Sequence, residues 1–151
     1  MIKKILLLSL LFSALLFGDK IKVVTAEDYT FAEVADGVKT SIEEQGLIVK
    51  TTMYLHKMLT RTATKDNKVI YEDAVAHEFC SASLTREFAL LDGRNIANCP
   101  YAISIYQLKG QKDIQIAYKV PEIYSQTKPE KAKQLEQKID NFLKTIIEDA
   151  L

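Results

Sequence analysis

The chain has 151 residues, with 20 basic and 20 acidic side chains and a formal net charge of zero. That balance excludes the basic footprint expected of a nucleic-acid or anionic-membrane binder. The length suits one domain with one core, and no repeat, low-complexity tract or long charge run divides it.

Met1-Ile2-Lys3-Lys4 followed by the uncharged, Leu-rich run Ile5 to Phe17 reads as a secretory signal, ending at Gly18. The run falls short of the roughly 20 residues needed to span a bilayer. No Cys follows it to carry a lipid anchor. The expected organisation is a signal peptide over 1–18 and a single domain over 19–151. Export places that domain in the periplasm or outside the cell, with no membrane attachment after cleavage. Loss of Lys3 and Lys4 with the leader leaves it slightly acidic.

Ile21-Lys22-Val23-Val24 is a β-prone run. Thr30-Phe31-Ala32-Glu33 has the capping-box pattern that opens a helix. Phe31, Val34, Val38 and Ile42 then share one face, and Gly46 is placed to end the helix. Leu47 to Leu55 predicts a strand with Leu47, Val49, Thr51, Met53 and Leu55 on one face and Tyr54 and His56 on the other. Lys57 to Lys68 reads as a helical turn and loop. Tyr71 to Phe79 predicts a strand with Ala74, Ala76 and Glu78 on one face and Val75, His77 and Phe79 on the other.

Ser81 or Ser83 caps a second helix carrying Leu84, Phe88 and Leu91, and Asp92-Gly93 stops it. Tyr101 to Leu108, the turn Lys109 to Lys112, and Ile114 to Val120 form a hairpin. Thr127-Lys128-Pro129-Glu130 caps a last helix with a continuous apolar stripe from Ala132 to Ala150. The order is β-α-β-β-α-β-β-α. It predicts an α+β fold: a two-layer sandwich in which helices cover a mixed sheet.

Several segments, in order and at their spacing, resemble the domain-of-unknown-function family 302. They are Phe31-x-x-Val34 leading to Gly46-Leu47, His56-Lys57-Met58-Leu59-Thr60-Arg61-Thr62, Glu78-Phe79-Cys80-Ser81-Ala82, Cys99-Pro100-Tyr101-Ala102-Ile103 and Ile116-Ala117-Tyr118-Lys119-Val120-Pro121. The resemblance runs from about Tyr29 through Tyr124. It implies a compact α+β domain that often forms a homodimer, and it brings no established activity, cofactor or catalytic residue. The Phe-Cys and Cys-Pro motifs mark an exported subgroup at most.

Cys80 and Cys99 admit three readings in an oxidising compartment: a disulfide, a reactive Cys80 thiol at a helix N-terminus, or a small buried hydrophobe. Parallel strands joined by the second helix would place the two at opposite ends of the sheet, ~20 Å apart. An antiparallel arrangement would bring them within the ~7 Å that a bridge needs.

A metal or haem site would have to draw on His77, Cys80, Cys99 and His56. The three-residue spacing of His77 and Cys80 points them to opposite faces of a continuous strand. No Cys-x-x-Cys, Cys-x-x-Cys-His, His-Glu-x-x-His, Gly-x-Ser-x-Gly or phosphate loop is present. No cofactor, metal site or catalytic residue is therefore expected.

The leading expectation is a non-enzymatic module binding a small ligand or an exported protein partner, not nucleic acid. Its candidate site comprises Cys80, Cys99, His77, His56 and Arg61. The alternative is a thiol-based redox or sulfur-handling protein using Cys80 with Cys99.

Overall fold

A computed structural model describes residues 20–64 and 69–151. The predicted signal peptide lies outside the described residues. The elements are β1 (Ile21–Ala26), α1 (Phe31–Glu44), β2 (Val49–Tyr54), α2 (Leu55–Arg61), β3 (Tyr71–Phe79), α3 (Ala82–Ala89), a 3₁₀ helix (Gly93–Asn98), β4 (Tyr101–Leu108), β5 (Ile114–Lys119) and α4 (Pro129–Asp149).

The two-layer α+β sandwich is present. The sheet order is β1-β5-β4-β3-β2. Every neighbouring pair is antiparallel, so the expected mixed sheet is corrected. The reason lies in the β3–β4 connection. A parallel return must carry the chain back along the ~30 Å of a nine-residue strand. Helix α3 has eight residues, a rise of ~12 Å. The 3₁₀ helix then doubles the chain back, and Tyr101 re-enters the sheet opposite Phe79.

The cross-strand row Val24–Ile116–Ile105–Val75 faces the helical layer. Val34, Val38 and Ile42 of α1, Leu84 and Phe88 of α3, and Leu135, Ile139, Leu143, Ile146 and Ile147 of α4 are buried with it in one core. The row Val23–Ala117–Ser104–Ala76–Met53 faces the other way. Val23 and Met53 are exposed there.

Local signals account for the starts of α1 and α3. Thr30 and Glu33 form the capping box, and Ser81 caps α3 through the Leu84 amide. Gly46 takes a left-handed φ of +74° just past α1. Helix α4 departs from its predicted cap: Lys128 holds the N-cap position without a side-chain bond, and its amide donates to Ser125 Oγ. Proline at N1 removes one of the amides that a Thr127 cap would serve.

Strand β2 also departs from prediction. A bulge at Lys50 lets Val49 pair with Phe79 while Thr51 pairs with Glu78. One extra residue reverses the alternation. Leu47 and Val49 therefore pack on the core, and Met53 faces out. No helix among the described residues is long and apolar enough to cross a membrane.

Candidate functional site

The five candidate residues fall in three places. Cys80 ends β3 and Cys99 precedes β4, and their Cα atoms are 5.8 Å apart in a disulfide. Antiparallel pairing of Phe79 with Tyr101 makes this closure possible. Both cysteines are half-buried, and neither is a free thiol nor an apolar filler.

His77 is buried on the core face of β3, in the row of Tyr118, Ile103 and Thr52. Its Nε2 lies 3.0 Å from the Ala35 carbonyl of α1, and its Nδ1 lies 2.9 Å from Thr52 Oγ1. A carbonyl only accepts, so Nε2 carries the proton and Nδ1 accepts from the threonine hydroxyl. Burial holds the His77 pKa below its ordinary value, partly opposed by the Ala35 bond.

His56 occupies the first turn of α2, where β2 leaves the sheet. Its Nδ1 lies 3.0 Å from the Ala74 carbonyl oxygen and 3.2 Å from the Ala74 nitrogen. The ring therefore takes over the edge of β3 that the backbone of β2 no longer pairs. Its Nε2 is 3.6 Å from Asp73 Oδ1. Arg61 is exposed at the C-terminal end of α2.

The disulfide stands six residues along β3 from Ala74, ~20 Å away. His77 projects into the core rather than toward either group. Among the described residues, no three His, Cys, Asp or Glu side chains converge as a metal site.

An open pocket of about 750 Å³ lies along α2. It is lined from Met53 to Arg61, with Leu59 excepted, and so includes His56 and Arg61. Cys80, Cys99 and His77 are not part of it. Helix α2 has no buried residue. Tyr54 and Met58 are 54 % and 47 % exposed, and the Lys57 ammonium sits 4.6 Å from the Tyr54 ring centroid. On α2, Met58 and Arg61 are three residues apart and Lys57 and Arg61 four, so the three share one side of the helix, with Tyr54 at the N-cap beside Lys57. The helical turn expected from Lys57 is present but starts earlier, at Leu55, and runs on to Arg61.

Two buried hydroxyls elsewhere matter less. Tyr118 donates to Asp140 Oδ1 at 2.8 Å, and burial and that carboxylate raise its pKa. Burial raises the Tyr101 pKa to about 12. Its hydroxyl has no hydrogen-bond partner among the described residues.

A family model described as "Domain of unknown function DUF302" matches residues 22–146. No curated protein matches the chain. The fold is similar to the crystal structure of an uncharacterized conserved DUF302 protein from Bacillus stearothermophilus. That similarity has a TM-score of 0.71 at 13 % identity, covering 89 % of this chain and 100 % of that one. With most of its length matched by the family model and the same architecture in that relative, the chain belongs to the DUF302 family.

Proposed function

We propose that the protein is an exported, non-enzymatic binding module whose binding surface is the pocket along α2. The observation that carries this reading is the pocket itself. Its volume falls within the range of small-molecule sites, ~300–1,000 Å³, and its lining combines apolar side chains with a few polar ones. The reading places the mature domain in the periplasm or outside the cell, without a bound cofactor. It also includes a homodimer in which a second copy covers the open sheet face around Val23, Ala117 and Ser104.

The test is a mixed fragment panel against the mature protein, followed by amide chemical shifts. Shifts clustered on Met53 to Arg61 support the reading, and shifts clustered elsewhere refute it. Light scattering tests the dimer, and fractionation of the expressing cell tests export.

One observation favours a second reading, a thiol–disulfide protein using Cys80 with Cys99. The bridge is half-exposed at the start of α3. A partner dithiol would pass two electrons and two protons to it and become a disulfide in turn. Equilibration with glutathione buffers, trapped by alkylation and read by mass, decides. Redox-active couples lie at about −270 to −120 mV, and structural bridges below about −300 mV.

A further inference from the structure

The geometry points to a ligand class for the α2 pocket: an organic acid with an apolar, preferably aromatic, body. This inference rests on the binding reading above and narrows it. Tyr54, at the end of β2, and Lys57, Met58 and Arg61 of α2 line one pocket. Two of them offer an aromatic ring and a polarisable thioether to solvent, and two carry fixed positive charge. Among the described residues, no carboxylate pairs with Lys57 or Arg61. Asp73 stands beside His56, 3.6 Å from its Nε2, and is not part of the lining.

A site with that charge repels cations and attracts an anion. The Arg61 guanidinium presents the fork of donors that fits a carboxylate. Lys57 is already held over the Tyr54 ring, so the second cation stands beside the apolar surface rather than away from it. The ligand's carboxylate pairs with Arg61, and its body lies on Tyr54 and Met58.

Three probes with one body and different charge test this: 2-naphthoate, naphthalene-2-methanol and 2-(aminomethyl)naphthalene. Each is titrated into the mature protein and followed by amide shifts. The expected result is that 2-naphthoate moves α2 amides and binds tighter than either analogue. Arg61→Gln should weaken it about fivefold, since the pair is exposed, and leave the alcohol unaffected. Met58→Ala should weaken naphthoate and alcohol alike. Lys112→Gln, in the β4–β5 turn, should change neither. All three positions are exposed, and an unchanged remainder of the spectrum reports an intact fold.

If the alcohol or the amine binds at α2 as tightly as the acid, the ligand class is wrong while the binding reading stands. If Arg61→Gln leaves naphthoate affinity unchanged, the class is likewise overturned. If none of the probes moves α2, both fall.

Discussion

His77 of the sheet donates from Nε2 to the Ala35 carbonyl of helix α1 at 3.0 Å, and this bond crosses between the two layers of the fold. Thr52 Oγ1, 2.9 Å from Nδ1, ties the same ring to the edge strand β2. One imidazole thus joins three elements, and it must be neutral in the folded state to accept from the threonine.

A base whose folded pKa is lowered makes the unfolded state the better proton acceptor. Its contribution to stability is complete above its ordinary pKa near 6.5 and is lost as pH falls through the window below that value, down to the folded pKa. Asp36 and Glu43 on α1 favour the proton, whereas Lys39 opposes it. Urea unfolding should show stability falling as the pH drops below the ordinary imidazole range, about 6.5. His77→Gln should be less stable at neutral pH and should lose most of that slope. An equal slope in the variant would refute the assignment.

Reduction should raise the intact mass of the protein by two hydrogens, and alkylation without reduction should label neither cysteine. Replacing both Cys80 and Cys99 with Ser should cost about 2–4 kcal/mol, because the bridge restricts the unfolded chain over a separation of 19 residues. Two thiols that label in the native, unreduced protein would contradict the bridge.

Gly37 marks a close approach of α1 to the end of α4. A Cβ there would stand 2.7 Å from the Ala150 carbonyl oxygen, a backbone atom that cannot rotate away. The Tyr29 hydroxyl, just before α1, donates to the main-chain oxygen of Leu151, just after α4. Gly37→Ala should therefore destabilise by about 1–3 kcal/mol, although alanine is the better helix former by about 1 kcal/mol. A rise in Tm would show that the helices are not so close.

Asn95 is buried and fully used. Its Nδ2 donates to the carbonyls of Phe88 at 2.9 Å and Tyr124 at 2.8 Å, and its Oδ1 accepts from the Tyr124 amide at 2.8 Å. Asn95→Asp would set a carboxylate against two carbonyls and should cost about 2–4 kcal/mol. The half-buried Asn98, whose Nδ2 makes a single bond to the Glu122 carbonyl, should lose less than about 1 kcal/mol on the same change. Paired urea titrations of the two variants would measure the contrast, and equal losses would overturn it.

The amphipathic stripes of α1 and α4, the Thr30–Glu33 box, Gly46 and the β4–β5 hairpin were legible because each depends on residues a few positions apart. The alternation of β3 correctly placed His77 and Phe79 on one face and Ala74 and Ala76 on the other. The bulge at Lys50 was not legible, because which residue a strand leaves unpaired depends on its neighbour rather than on its own pattern. The face of α2 was missed for a related reason. A seven-residue helix with no buried position lacks the apolar periodicity that announces longer ones.

The sequence by itself determined the fold class, the order of the five strands and of α1, α3 and α4, the inward faces of the long helices and the family, through local periodicity, capping chemistry and ordered motifs. Tertiary structure alone decided that β3 and β4 run antiparallel. That choice brought Cys80 to Cys99. The packing of α1 and β2 against β3 turned His77 into a core brace, and the departure of α2 from the sheet left His56 and Arg61 at a separate pocket. The physical reason is that periodicity records which side of an element meets the core. The direction in which the next strand returns is set by the length and path of the connection between them.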